Sequence, residues 1–375
     1  MNIQVLNLYN YRNYKQLNLT LFPNINIFTG FNAQGKTNII EAIHLASLGI
    51  SHRTRIDKDL IYWGDNKASI NIKFTRREIL SQINIKLDKI AKKELNYNGD
   101  NIKQKELPGL LTMVLFSPED LMLIKGAPLQ RRRFLDIELS QVSSRYYNEL
   151  VQYNRLLQQR NNLLKKIREN NKLVDMLDMW DEQFAKVAAF IVEMRLRGMK
   201  KISEIAKIIH QEISQQKEIL NVQYNLYNFD KNIVNTEIPT IEELYNFYRV
   251  TLNKYRNKDI FRGSTSVGPH RDDIDFYIND ISLKSFGSQG QQRSSVLSLK
   301  LAELEFLKGE TAEYPILLLD DVMSELDVHR RENILTLLQE KNIQTLITAT
   351  DKDLFTTNPK NHFFQVENGN VTSFS

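Results

Sequence analysis

Gly30-Phe31-Asn32-Ala33-Gln34-Gly35-Lys36-Thr37 has the form G-x-x-x-x-G-K-[ST], and the rest of the chain can be read outward from it. Gly30 and Gly35 let the backbone turn sharply and bring its N–H groups to phosphate oxygens. Lys36 supplies a point charge near the β and γ phosphates, and Thr37 offers a hydroxyl to Mg²⁺. Asn32 falls inside the loop and joins the candidate phosphate contacts. The flanks agree with the motif: Asn24-Ile25-Asn26-Ile27-Phe28 alternates like a strand leading in, and Asn38 to Ala46 carries apolar residues at helical spacing leading out. Strand, glycine loop, helix places the positive end of a helix dipole on the phosphates. A nucleoside triphosphate with Mg²⁺ is the expected ligand. The alternative is a chance glycine loop, and the flanks argue against it.

A loop of this kind needs a carboxylate partner from a neighbouring strand. Ile316-Leu317-Leu318-Leu319 is a continuous apolar run, as expected of a parallel strand buried on both faces, and it ends in Asp320-Asp321. The first carboxylate is assigned to the metal and the second to polarising the attacking water, which makes Lys36, Asp320 and Asp321 the catalytic candidates. A helix-capping acidic turn before Ser324-Glu325-Leu326-Asp327 is the alternative.

Between these landmarks the periodicity changes twice. Ile3 to Leu8 and Leu17 to Leu21 alternate around the polar turn Tyr11-Arg12-Asn13-Tyr14. Ser69 to Phe74 and Ser81 to Leu87 form a second period-2 pair around Arg76-Arg77-Glu78, and Thr112 to Phe116 is a short apolar strand. From about 120 to 258 the spacing is helical. The stretch Asn221 to Thr240 reads as loop or strand before a last helix, Ile241 to Tyr255. Strand character returns after Phe261, with a hairpin over Ile274 to Leu283 following Gly268-Pro269-His270-Arg271-Asp272-Asp273. The expected organisation is an α/β head in two parts, residues 1–120 and 259–375, with a helical lobe of residues 121–258 inserted between them.

Composition narrows the class further. The 375 residues are 42% hydrophobic, enough for a proper core, and the net charge of +5 permits a polyanionic partner without demanding one. The chain has no cysteine, which removes disulfides and thiolate metal sites and suits a reducing cytoplasm. It shows no export signal and no apolar run long enough to span a membrane, so a cytoplasmic protein is expected.

Several stretches together carry a family resemblance. The phosphate loop, Ser288-Gln289-Gly290-Gln291 opening a helix, Leu318-Leu319-Asp320-Asp321 and Ser324-Glu325-Leu326-Asp327 resemble, in order, the motif set of ATP-binding-cassette (ABC) ATPases. Phe286 to Arg293, Gly268 to Asp273 and Leu318 to Asp327 are similar to the RecF family of bacterial recombination mediators, as are Tyr11 to Tyr14 and Phe116 to Leu121. Gly30 and Ser288 lie 258 residues apart, more than a transporter ATPase needs between these blocks, and the excess is roughly the helical lobe. There is neither a heptad array nor a cysteine for the long coiled coil and zinc hook of some relatives.

The resemblance implies an α/β head of the ABC type, with mixed and antiparallel sheets, that forms an ATP-dependent head-to-tail homodimer. Lys36 and Thr37 of one subunit would grip ATP, while Ser288, Gly290 and Gln291 of the other cap the γ-phosphate and Asp327 lies at the seam. A serine hydroxyl, exposed N–H groups and a helix N-terminus suit an anion; a flexible polar turn is the other reading. Arg12 is implied as a nucleotide contact, though an exposed turn arginine is equally open. His270 and Arg271 are open between a structural turn and a functional role. Asp321 replaces the usual glutamate, and Thr350 the usual histidine after the last core strand. The glutamine expected after Val114-Leu115-Phe116 is missing. The shorter carboxylate and the lost imidazole suggest slow turnover, in a DNA-stimulated ATPase acting as a switch.

By the same resemblance, the chain binds duplex DNA near gaps or single-strand/double-strand junctions and works with RecR and RecO type mediators to load the strand-exchange recombinase. The candidate surface is local: Lys125 to Asn170 carries ten Lys or Arg against four acids. Arg131, Arg132, Arg133, Lys165 and Lys166 are the named candidates for phosphate contacts, the alternative being a solvated helix face. A nucleotide-gated protein scaffold with incidental hydrolysis is a competing function. An ATPase–nuclease fusion fits poorly, because only 54 residues follow Asp321.

Overall fold

The computed structural model describes residues 1–229, 238–355 and 361–374. The chain divides into two compact units, Met1–Asp120 with Glu303–Ser375, and Leu121–Ala302.

The first unit holds two six-stranded sheets. One is built from antiparallel hairpins: Asn2–Tyr11 pairs with Tyr14–Thr20 and with Lys67–Arg76, which pairs in turn with Ile79–Asp88. The turn between the last two has positive φ at both Arg77 (47°) and Glu78 (65°), the backbone that matches the twist of flanking strands in a two-residue hairpin. The second sheet runs Asn370–Phe374, Asn361–Glu367, Ile25–Thr29, Thr345–Ala349, Ile316–Asp320, Met113–Phe116, and is parallel except for its first pair. Its three central strands are buried at every position, which explains the unbroken run Ile316-Leu317-Leu318-Leu319, and the polar Asn26, Thr29, Thr345 and Thr348 are buried with the rest. The helix Lys36–Leu48 lies against strands of both sheets. That double cover is why it is buried nearly all round rather than along one stripe, Glu41, His44 and Ser47 included.

The second unit is the helical lobe together with residues that the sequence reading gave to the head. Its long helices are Pro128–Val142, Ser144–Glu169, Met176–Ile213 and Ile241–Arg262. The strand Leu220–Asn225 pairs antiparallel with Asp273–Ile278, which also pairs with Ile281–Ser282. That pairing moves the boundary. The expected hairpin after Phe261 exists, but its third strand comes from within the lobe, so the segment from 259 to 302 belongs to the second unit and the head resumes at Glu303. Part of the stretch read as loop or strand before the last helix, residues 230–237, lies outside the described residues.

Three buried polar clusters organise this lobe. Arg160, fully buried, donates to Asp181 Oδ1 at 2.7 Å and to Asp259 Oδ2 and Thr265 Oγ1 at 2.9 Å, which ties three helices and a loop to one guanidinium. Arg195 donates to both oxygens of Asp136 and to the Pro269 carbonyl. Tyr153 shares a 2.5 Å hydrogen bond with His270 Nδ1, and the other ring nitrogen lies 3.2 Å from the Thr265 carbonyl. Burial pushes His270 down to about 4, so the ring is neutral at pH 7. Burial also pushes Asp272, which accepts from Tyr224 and from the Tyr227 N–H, up to about 6. Gly268-Pro269-His270-Arg271-Asp272 is therefore a packing hub, and Arg271 serves it too by donating to the Thr265 carbonyl.

Candidate nucleotide site

The phosphate loop connects the strand Ile25–Thr29 to the helix beginning at Lys36, and the two glycines have steric reasons to be glycines. Gly30 has φ of 146°, and a Cβ there would sit 2.3 Å from the Val366 carbonyl oxygen. Gly35 has φ of 116°, and its Cβ would meet the Asn13 amide at 2.6 Å. The turn Tyr11 to Tyr14 braces the loop from the side. Asn13 donates to the Gln34 carbonyl at 2.8 Å and accepts from Asn38, and the Tyr14 hydroxyl donates to the Gly35 carbonyl at 3.1 Å. Asn368 N–H closes the other flank on Gln34.

Lys36 is buried to 7% exposure and donates to the carbonyls of Gly30 at 2.5 Å and Phe31 at 2.9 Å. Burial lowers its pKa, while the charges of Asp321 and Asp320 act in the opposite direction. Thr37 Oγ1 donates to Asp320 Oδ1 at 2.9 Å. This places the hydroxyl and the carboxylate assigned to the metal side by side, although 283 residues separate them in sequence. Asp321 lines the same cavity, of about 580 Å³, with Asn32, Gly35 and Lys36. Its carboxyl pKa is raised, first by burial and then by Asp320, with Lys36 opposing. Its Oδ1 is buried and accepts no hydrogen bond from the protein. Asp321 is thus a half-buried carboxyl on the cavity lining, with one oxygen uncommitted to any protein donor.

Arg12 lines the cavity, but its guanidinium is committed elsewhere: Nε and Nη2 grip both oxygens of fully buried Glu41 at 2.8 and 2.7 Å, and Nη1 donates to the Asp59 carbonyl. Burial alone would lower the Arg12 pKa, but the Glu41 hydrogen bonds and charge outweigh it and raise the pKa. Arg53 also reaches Glu41, at 3.5 Å, and lines the cavity. Arg53, Tyr62 and Trp63, the last 94% exposed, were missed at the sequence level. An arginine and two aromatics in a polar stretch carry no motif; the bridge of Tyr11 to Ile61, the Arg12 bond to the Asp59 carbonyl and the Arg53 bond to Asn38 are long-range contacts that bring the stretch to the site.

The signature block lies in the second unit. Ser288 and Gly290 are exposed at the start of the helix Gln289–Thr311, and Ser288 with Gln291 forms a reciprocal cap: Gln291 N–H donates to Ser288 Oγ, and Ser288 N–H to Gln291 Oε1. Asp327 caps the helix Val328–Glu340, accepting from Arg330 N–H at 3.0 Å.

The model of the RecF/RecN/SMC N-terminal domain family matches residues 2–372. The DNA replication and repair protein RecF of Clostridium botulinum (strain Okra / Type B1) is 45% identical over 377 residues, covering 99% of each chain. This chain belongs to the RecF family. RecF of Clostridium tetani is 44% identical over 372 residues, covering 98% of this chain and 99% of that one. Two solved structures of the recombination mediator protein RecF of the RecFOR pathway, one described as RecF-ATPrS and the other as RecF-ATP, have TM-scores of 0.92 at 34% identity. They cover 100% of this chain, and this chain covers 98% and 97% of theirs. An SMC head domain with an extended coiled coil from Pyrococcus furiosus has a TM-score of 0.56 at 17% identity, which shows the shared fold alone. The fold is thus the ABC-type ATPase head of RecF and SMC proteins.

The basic patch needs correction. Arg131 is 2% exposed and fixed bidentately on Asp273 at 2.6 and 2.9 Å, so it is a packing residue and not a free phosphate contact. Arg132 is half-buried and donates to the Asp272 carbonyl, and Arg160 is the core of the lobe. The hairpin strand that carries Asp273 lies 142 residues from Arg131, which is why a local charge count could not see the pairing. Arg133, Lys165 and Lys166 are exposed. Among the described residues, no helix is long and apolar enough to cross a membrane.

Proposed function

We propose that this protein is an ATP-gated DNA-binding switch of recombinational repair, working in the cytoplasm. ATP binds the phosphate loop and closes two copies head to tail, each offering Ser288 and the N-terminus of its helix to the partner's γ-phosphate. The closed dimer holds duplex DNA near gaps or single-strand/double-strand junctions and, with RecR and RecO type mediators, helps load the recombinase. Slow, DNA-stimulated hydrolysis releases it.

The observation that carries this reading is the cluster of Thr37, Asp320 and Asp321 at the phosphate-loop cavity, together with an exposed capped serine, in the other unit, that opens a 23-residue helix. In hydrolysis Asp321 takes a proton from water as the water oxygen bonds to the γ-phosphorus. The bond from that phosphorus to the bridging oxygen breaks, releasing ADP and phosphate. Mg²⁺ fits Thr37 and Asp320, two hard oxygen donors of which only one is a carboxylate, as expected where substrate phosphates and water complete the shell. When bound it neutralises charge on the phosphates. For DNA, exposed Lys165 and Arg168 gather against Gly263, beside exposed Arg262. They support a sequence-independent phosphate grip shared with Arg133 and Lys166.

The test is the solution mass without nucleotide, with ADP and with ATP, repeated for Ser288→Arg. A monomer that dimerises only with ATP, and fails to do so with the bulky cation, supports the switch. A mass indifferent to nucleotide in every case removes it and favours a nucleotide-gated scaffold whose ligand is another protein.

A further inference from the structure

We infer that Thr348 is a positioning residue for the hydrolytic step, acting on both strand-end carboxylates through one hydroxyl. The inference rests on the roles given above to Asp320 and Asp321. Thr348 lies on the strand Thr345–Ala349, directly opposite Asp320 in the parallel register, and is 1% exposed at the cavity wall. Its Oγ1 donates to Asp320 Oδ1 at 2.7 Å and accepts from the Asp321 N–H at 3.0 Å. A hydroxyl has one proton to give, so spending it on Asp320 while receiving Asp321 fixes its rotation.

Both bonds bear on groups that need them. Asp321 has φ of 56°, a left-handed backbone that an L-residue other than glycine adopts only at a cost, and its side-chain Oδ1 has no protein donor to orient it. The bond from the Asp321 N–H to Thr348, with the Ser324 hydroxyl donating to the Asp321 carbonyl at 3.0 Å, therefore fixes the backbone from which this carboxylate extends. Asp320 Oδ1 receives two hydroxyls, from Thr37 and from Thr348. Thr37 is the one assigned to a metal, which leaves Thr348 to hold the orientation of the carboxylate. Loss of such a supporting group typically costs about 10- to 100-fold in metal affinity or activity.

The experiment compares Thr348→Val, which keeps the shape and deletes the hydroxyl, with Thr348→Ser, which does the reverse. Three quantities are read: affinity for a fluorescent ATP analogue in EDTA, the Mg²⁺ concentration giving half-maximal nucleotide binding, and single-turnover hydrolysis. In EDTA, Thr348→Val should bind within about threefold of the unmodified protein. It should also need more Mg²⁺ and hydrolyse about 10- to 100-fold more slowly, while Thr348→Ser stays within about threefold throughout. Should the valine variant fold poorly, Thr348→Ala replaces it. Unchanged Mg²⁺ dependence and rate in the hydroxyl-free variant would overturn the assignment, and so would a serine variant as impaired as the valine one, since the effect would then be packing. If the unmodified protein shows no turnover at all, it is the hydrolytic reading of Asp321 that falls, and the role given to Thr348 falls with it.

Discussion

Asp321 combines a strained backbone, a raised pKa and an uncommitted buried oxygen on the wall of the nucleotide cavity. Its replacement should separate binding from chemistry. Asp321→Asn keeps the size and removes the proton acceptor, so ATP should still bind and dimerise the protein while turnover falls by about 10²–10⁴-fold, as read by phosphate release beside solution mass. Wild-type turnover in that variant would refute the assignment. Lys36→Ala deletes the buried cation of the loop, and titration with a fluorescent nucleotide should show binding lost altogether. The residue that the sequence misjudged most is Arg131, whose side chain serves Asp273 instead of a ligand.

At the scale of elements, the lobe is held by buried charge. Arg160→Leu would strand fully buried Asp259 and leave Asp181 only Arg256 as a cationic partner, and should destabilise the second unit by about 3–5 kcal/mol in urea unfolding. ATP affinity at the phosphate loop should stay unchanged.

The hub at residues 268–273 has a pH signature as well. His270, lowered from 6.5 to about 4, contributes stability that is present above pH 6.5 and lost as pH falls toward 4. Asp272, raised from 3.8 to about 6, contributes stability that is present below pH 3.8 and lost as pH rises through 6. Between pH 4 and 6 the two oppose each other, so this pair leaves little net slope in the unmodified protein. Asp272→Asn removes one of them, and unfolding followed from pH 6 to 4 should then show stability falling more steeply on acidification, by up to about 1.4 kcal/mol per pH unit. An identical slope would show that the hub does not titrate in this way.

For the whole molecule, the two halves of the proposed ATP sandwich are carried by different units, the phosphate loop by the first and Ser288 by the second. DNA binding should likewise distinguish exposed from buried cations. Lys165→Ala with Lys166→Ala should leave thermal stability within about 0.5 kcal/mol, weaken duplex binding for all sequences alike, and reduce the slope of log K against log salt by up to about 2. Arg131→Ala should instead lower the unfolding temperature, because it leaves Asp273 without its partner. If Arg131→Ala weakened DNA binding with no loss of stability, the correction to the basic patch would be wrong.

Much of this was legible in the chain because its physical causes are local. A glycine loop between an alternating run and a helical one, and an apolar strand ending in two aspartates, state their structure through dihedral freedom and side-chain period alone. Thr37 and Asp320 could be paired on paper because each belongs to a motif with known chemistry. The remainder depended on which distant segments share a sheet or a core. The strand Leu220–Asn225 claims the hairpin after Phe261 for the lobe, Asp273 claims Arg131, Glu41 claims Arg12, and register alone sets Thr348 opposite Asp320. A charge or a hydroxyl has no periodicity to announce its partner. The phosphate loop, its carboxylates and the family could be read from the chain, whereas which polar groups are buried against each other and which are left to meet a ligand followed from packing between segments 28 to 142 residues apart, beyond the reach of any local period.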